Sequence, residues 1–309
     1  MKLISVVTAC YNEEENIAEV YRQVKEVFAG LPKYHYEHLF IDNASTDRTV
    51  PILKEIAQKD RNVKIIVNAR NFGHIRSPFY GLLQARGEAV ISLVADLQDP
   101  PEMIKEFIKK WEDGYKIVMA VKQRSRENPL MFAVRQLFYR LIGTLSEVKQ
   151  VRGFTGFGLY DQQVIEILRR IDDPYPYFRG LIADIGFAVA RVEYTQPRRW
   201  KGLTKNNFYS LYDMAMLGIT NHSKVPLRLA AMLGFLVAFI SVLFAGGYTV
   251  YKLIFWNSFS VGIAPLVIGL FFFSAVQLFF IGIIGEYIGA IHTQVLKRPL
   301  VVEKERVNF

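Results

Sequence analysis

Residues 91–104 read 91-ISLVADLQDPPEMI-104. An apolar run stops at Asp96 and is followed at once by Gln98, Asp99 and the pair Pro100–Pro101. Two readings compete. In the plainer one a strand ends and a helix begins: Asp99 caps the helix, and proline is tolerated in a first turn where its missing N–H goes unused. In the sharper one a carboxylate and an amide present oxygen atoms at the carboxyl edge of a parallel sheet, where open α/β sheets bind their ligands. The neighbouring segments decide between them.

Upstream, LISVVTACY (3–11), YEHLFIDNAS (36–45), VKIIVNAR (63–70) and AVISLVAD (89–96) read as strands. Helical patterns separate and follow them: 12–31, 46–60, 77–87 and 100–114. Segment 12–31 opens on Glu13, Glu14 and Glu15, so its first turn is expected to be rich in glutamate, which suits the helix dipole. KIVMAVKQR (116–124) reads as a fifth strand. This alternation predicts an α/β fold, a mostly parallel, doubly wound sheet with helices on both faces. The strand ends then gather chemistry on one rim. Tyr11, Asn12 and Glu13 follow the first strand, and Asp42, Asn43, Ser45 and Asp47 the second. Arg70 and Asn71 follow the third, Asp96, Gln98 and Asp99 the fourth, and Lys122 and Arg124 the fifth. No G-x-G-x-x-G follows the first strand and no G-x-x-x-x-G-K-[ST] occurs, which argues against a dinucleotide site and a P-loop.

The C-terminal third has a different chemistry. Residues 229–251 and 253–285 hold no charged side chain apart from Lys252 between them, and a helix of about 20 apolar residues crosses a bilayer core. The first stretch supplies one span and roughly 263–288 a second, after an uncharged turn at 256–262. A core hairpin of a soluble protein is the competing reading. Lys224 and Arg228 flank the first span, and Lys297 and Arg298 follow the second, so both chain ends are expected on the cytoplasmic side. The net charge of +9 suits an anionic partner such as a membrane surface or a phosphorylated substrate. No nucleic-acid motif appears and none is expected as partner. The single cysteine, Cys10, lies in an apolar strand and is read as core. The expected organisation is a catalytic unit at 1–205, an interfacial linker at 206–226, two transmembrane helices within 227–290 and a cytoplasmic tail at 291–309.

Taken in order, SVVTACYNEEENI, FIDNASTDRT, NARNFGH and ADLQDPPE resemble the successive motifs of family 2 glycosyltransferases with the GT-A fold. GFTGFGLYD (153–161) and R-x-x-G-x-T-K (199–205) extend the likeness. The apolar spans ending in GEYIGAIHTQVLKRP resemble the bacterial branch that loads a sugar onto polyprenyl phosphate, beside dolichyl-phosphate mannose synthases and bactoprenol glucosyltransferases. The resemblance implies that Tyr11, Glu13, Asp42 and Arg70 contact a nucleotide sugar. It implies that Asp96 and Gln98 hold Mg²⁺ or Mn²⁺ against the diphosphate, an oxygen-only set completed by phosphate and water. Asp99 is then merely the helix cap. UDP-glucose is favoured as donor over GDP-mannose.

Many relatives carry D-x-D where this chain has Val94-Ala95-Asp96, and DDGS where it has Asp42-Asn43-Ala44-Ser45. Some carry TGDF where it has Thr155-Gly156-Phe157-Gly158, so a carboxylate near the reacting sugar is absent or supplied from elsewhere. A phosphate acceptor, mostly dianionic above its second pKa of about 6, needs little help from a base. Cations expected to meet it are Arg124 and Arg126, Arg135 and Arg140 in an amphipathic stretch at 130–148, and Arg199, Lys201 and Lys205, with a second interfacial candidate at 207–219. Asp96, Arg124, Arg199 and Lys205 are the expected catalytic set. Residues 196–200 also fit the Q-x-x-R-W pattern of processive synthases, and a non-catalytic sugar-binding membrane subunit is a further alternative. Gly282, Gly285 and Gly289 would allow close helix packing, so a homo-oligomer is expected to be within reach.

Overall fold

The computed structural model describes residues 1–122, 151, 153–197, 216–218, 220, 223–255 and 263–309. Strands β1 (Lys2–Cys10), β2 (Tyr34–Asp42), β3 (Val63–Asn68), β4 (Ala89–Val94) and β5 (Ile117–Lys122) alternate with helices α1 (Ile17–Ala29), α2 (Thr49–Lys59), α3 (Gly73–Gln84) and α4 (Ile104–Glu112). Then come β6 (Phe154–Asp161), α5 (Gln162–Arg170), α6 (Phe178–Asp184), β7 (Val189–Tyr194), α7 (Val225–Ile254), α8 (Ile263–Leu296) and β8 (Glu303–Val307). They form one eight-stranded sheet in the order β7-β5-β6-β4-β1-β2-β3-β8. The pairs β1–β2, β1–β4, β2–β3 and β5–β7 are parallel, as the alternation predicts. β6 is inserted antiparallel between β4 and β5, and β8 caps β3 antiparallel.

Helices lie on both faces because the central strands are apolar on both. One core joins Ile4, Val6, Phe40 and Ile91 to Ile17, Val20, Leu53 and Phe107 from α1, α2 and α4. The other joins Val7, Ile41, Ile66 and Val90 to Phe79, Leu82, Val164 and Ile182 from α3, α5 and α6. Each such side chain fully buried contributes about 1.5–3 kcal/mol. Helix α3 approaches the sheet so closely that a Cβ at Gly81 would sit 2.9 Å from Ile41 Cγ2 and 3.0 Å from Val7 Cγ1. The far end of the sheet is tied by Asp161, which caps α5 through Gln163 N (3.0 Å) and accepts from Trp111 Nε1 at 2.7 Å and Lys116 Nζ at 3.0 Å.

Two local expectations change. Helix α1 begins at Ile17, so Glu13–Glu15 precede it and Glu19 is the acid in its first turn. The loop side chains are engaged elsewhere: Glu14 accepts from Arg48 N, and Glu13 from Asn16 Nδ2. Asp99 does not cap the helix after it; Pro100 holds that position without a side-chain cap. The C-terminal residues join the sheet domain. Their strand β8 pairs with β3, Lys54 Nζ meets Glu305 Oε2 at 2.6 Å, and Tyr80 donates to Glu303 Oε1 at 2.7 Å.

Helices α7 and α8 have 30 and 34 residues. At 1.5 Å per residue they run about 45 and 51 Å, against about 30 Å of bilayer hydrocarbon. Both are long and apolar enough to cross a membrane, and none of their apolar stretch is buried. Phe235, Phe244 and Phe271 are 71–78% exposed. A core helix of a soluble protein buries such residues, whereas these lie outside both cores of the sheet. Near the sheet the pair is anchored: Tyr287 donates to Ser223 O at 2.7 Å, Gln294 Nε2 to Asp173 Oδ1 at 2.7 Å, and Lys297 Nζ to Asp172 Oδ2 at 3.1 Å.

Candidate active site

The carboxyl ends of β1, β2, β3 and β4 form one rim. Asp42 is level with Cys10, and Val94 with Ala9. Asp42 and the Asp96 turn therefore rise from strands two spacings apart, roughly 10 Å.

The β1–β2–β3 half is closed by its own hydrogen bonds. Asn12 N donates to Ser45 Oγ at 2.8 Å and Asn12 Oδ1 accepts from Thr46 N at 2.8 Å. Glu13 N donates to Thr49 Oγ1 at 2.8 Å. Asp42 is fully buried and accepts from Ser45 N (2.9 Å) and Oγ (2.5 Å). Burial raises its pKa above the usual carboxylate range, with the Ser45 bonds pulling the other way. Asn43 spans to the next loop: Nδ2 donates to Asn71 Oδ1 (2.8 Å) and Gly73 O (3.2 Å), and Oδ1 accepts from Phe72 N (2.8 Å) and Asn68 Nδ2 (3.2 Å). Two donations and two acceptances explain the amide at 43. A carboxylate could serve only as acceptor there.

The β4 half is a turn with strict alternation. Leu93, Ala95, Leu97 and Asp99 are buried, whereas Val94, Asp96 and Gln98 reach the rim. Asp96 and Gln98 are thus both partly exposed, and Gln98 N donates to Asp96 Oδ1 at 3.1 Å. Val94, 43% exposed, ends β4 just before them, where many relatives carry an acid. Asp99, only 3% exposed, accepts from the Tyr194 hydroxyl at 2.8 Å. Burial pushes its carboxyl up to about 6, against the pull of the Tyr194 bond. Burial, with the Asp99 charge, raises the Tyr194 phenol well above its ordinary value and keeps it a donor. Phe157 points into the core, its ring 5.0 Å from Phe107 and 5.7 Å from Tyr194, so no carboxylate is presented from that position. Non-glycine residues with left-handed backbone occur in all three of these loops: Asn12 (φ 54), Ala44 (φ 62) and Leu97 (φ 57). Such strain persists where surrounding structure over-determines it, as at functional rims.

Of the expected contacts to a nucleotide sugar, Tyr11 and Glu13 are partly exposed after β1, whereas Asp42 at the end of β2 is fully buried against Ser45. Arg70 follows β3, its guanidinium 4.0 Å from the Phe72 ring centroid. Glu13 Oε2 accepts from Asn16 Nδ2 at 2.7 Å, which orients it at the entrance of α1. The expected acceptor cations Arg124, Arg126, Arg135, Arg140, Arg199, Lys201 and Lys205 lie outside the described residues, as do 130–148 and most of 207–219. Sequence reasoning missed the Asn12 and Asn43 brackets and the Tyr194–Asp99 contact; their partners lie 25 or more residues away along the chain.

A mostly parallel open sheet binds its ligands at the carboxyl ends of its strands, where these acids and amides lie. Residues 5–166 match the glycosyl transferase family 2. A bactoprenol glucosyl transferase from Shigella phage SfII is 35% identical over 303 residues, 98% of this chain and 97% of the relative. An uncharacterized glycosyltransferase, YkcC of Bacillus subtilis, is 37% identical over 299 residues, 96% of this chain and 92% of its own. Among solved structures, glucosyl-3-phosphoglycerate synthase from Mycobacterium tuberculosis, in complex with Mn²⁺, UDP and phosphoglyceric acid, superposes with a TM-score of 0.50. That match has 18% identity and covers 71% of this chain and 76% of that one, so it speaks for the fold. The chain belongs to glycosyl transferase family 2 and is a glycosyltransferase.

Proposed function

We propose that this enzyme is an inverting transferase that moves a hexose, glucose, from UDP-glucose to a polyprenyl phosphate at the cytoplasmic face of a bacterial inner membrane. The observation that supports the reading is the partly exposed pair Asp96 and Gln98 at the carboxyl end of β4, in a chain that carries two exposed apolar helices. Support for the acceptor comes from relatives named bactoprenol glucosyl transferase that match 97–98% of this chain. Support for the topology comes from the sheet itself. β1 and β8 belong to one sheet, and two crossings return the chain to the side it left. Lys224, Arg228, Lys297 and Arg298 flank the helices on that side.

The donor set at Asp96 and Gln98 is oxygen only, which fits a hard divalent cation such as Mg²⁺ or Mn²⁺ and not a thiolate- or imidazole-seeking one. Among the described residues no group of three or more His, Cys, Asp or Glu could hold a metal, which suits an ion whose remaining ligands are phosphate and water. When bound, the cation would offset the charge that develops on the departing diphosphate. Asp96 and Gln98 would hold that end of the donor, while Tyr11, Glu13, Asp42 and Arg70 would receive the nucleoside. An acceptor phosphate oxygen then bonds to the anomeric carbon as the bond to the donor's β-phosphate oxygen breaks, and the centre inverts. The attacking phosphate is mostly dianionic at neutral pH, so no proton need be removed. Arg124, Arg135, Arg140, Arg199 and Lys205 are proposed to meet it. Positioning and electrostatics then supply the acceleration.

Product analysis tests this reading. Purified protein given polyprenyl phosphate, Mg²⁺ and radiolabelled UDP-glucose should yield a lipid carrying one hexose. A polymer would indicate a processive synthase. No product with any UDP- or GDP-sugar would indicate a non-catalytic subunit.

A further inference from the structure

We propose that Tyr194 is a positioning residue for the transfer: through its bond to Asp99 it fixes the turn that presents Asp96 and Gln98. The inference rests on the metal reading above and deepens it. The turn is pinned from inside at alternate residues. Leu97 is 7% exposed and packs in the core with a left-handed backbone (φ 57), a conformation that costs an L-residue energy and reverts unless its neighbours hold it. Asp99, two residues on, is held by the Tyr194 hydroxyl at 2.8 Å. Gln98 lies between these two anchors, and its N–H bonds Asp96 Oδ1 at 3.1 Å. Moving Asp99 therefore moves Gln98 and, through that bond, the Asp96 carboxylate.

The strut reaches across the sheet. Tyr194 is the last residue of edge strand β7, whose neighbour is β5 and not β4. Its ring is fixed edge-on against Phe157 (5.7 Å, 77°), which is fixed against Phe107. Phe157 therefore sets the ring that sets the turn. Residues that orient metal ligands commonly carry 10–100-fold in metal affinity. In the sequence Tyr194 lies four residues before Arg198, where the basic segment proposed to meet the acceptor phosphate begins.

The test is Mn²⁺ binding to the purified full chain in the presence of UDP, read as free Mn²⁺ by electron paramagnetic resonance, alongside thermal unfolding. Tyr194→Phe keeps the ring and removes only the hydroxyl. It should weaken Mn²⁺ binding about 10–100-fold. Asp99→Asn keeps an oxygen that accepts from the hydroxyl and should stay within about threefold of wild type, within the factor of 2–3 typical of context effects. Phe157→Leu, which loosens the packing but leaves the bond, should lower the melting temperature with a smaller loss of Mn²⁺ binding than Tyr194→Phe. If Tyr194→Phe lowers the melting temperature while Mn²⁺ affinity is unchanged, the residue is merely structural and the inference is overturned. If Asp99→Asn loses as much as Tyr194→Phe, the Asp99 charge and not the strut is responsible, which also overturns it. If wild type binds no Mn²⁺ with UDP or GDP, the metal reading itself falls.

Discussion

The two halves of the rim are built differently. Around Asp42 the loops after β1, β2 and β3 lock one another through Asn12, Ser45, Thr49 and Asn43. Around Asp96 a single turn is held by Leu97 packing and the Tyr194–Asp99 bond, and the chain after β5 and β7 runs into the segments that carry Arg124, Arg135, Arg140, Arg199 and Lys205. The first half is finished by residues of the sheet domain alone. The second adjoins the segments that precede the membrane-length helices. A soluble nucleotide needs a preformed pocket, since each group ordered on binding subtracts from affinity. On the proposed reading a lipid phosphate would arrive from one direction only, so the segments that meet it would belong next to the membrane.

Substitutions in the first half should therefore affect stability and donor binding more than turnover. At neutral pH the largest effect is expected for Asn43→Asp. It removes the donations to Asn71 and Gly73 and sets a second carboxylate beside buried Asp42. A cost of about 1–3 kcal/mol follows from the lost buried bonds, seen as a lower melting temperature and a raised donor KM. An unchanged melting temperature would show that the bracket is dispensable.

Next comes pH. His38 lies fully buried in β2, its Nε2 2.9 Å from Thr8 Oγ1, and burial lowers its pKa from 6.5 to about 3. Between those values the unfolded chain binds a proton that the folded one refuses. Stability supplied by neutral His38 is thus full above pH 6.5 and lost as pH falls toward 3, with a slope of about 1.4 kcal/mol per pH unit. His38→Gln should flatten the acid side of a melting-temperature profile by about one proton. Parallel profiles for the two proteins would contradict this.

The smallest effect is expected for Ala44→Gly. Ala44 holds φ 62 where many relatives have glycine. Relieving that strain should raise stability by up to about 1 kcal/mol, a left-handed penalty of 1–2 less the glycine's entropy. A fall in melting temperature would mean that the methyl group packs usefully.

Much of this architecture was legible in the sequence because its signals are local. Apolar runs of strand length ending in Asp42 and Asp96 place both residues on the rim, and two long uncharged stretches show in any window. What stayed hidden depends on distance. β6 reads as a motif, not as a strand inserted between β4 and β5, because nothing in GFTGFGLYD reveals its two antiparallel partners. β8 reads as a charged tail because a sheet edge carries charges by design. The choice of Asn over Asp at 43 looks like a lost acid until its partners at 68, 71, 72 and 73 are in place.

The most direct measurement is transfer of radiolabel from UDP-glucose to polyprenyl phosphate by purified wild type and Asp96→Asn protein, each with Mg²⁺ and with excess EDTA. The account predicts label in the lipid phase for wild type, its loss with EDTA, and a loss of at least about a hundredfold for Asp96→Asn at an unchanged melting temperature. Transfer by Asp96→Asn at the wild-type rate, or transfer indifferent to EDTA, would contradict it.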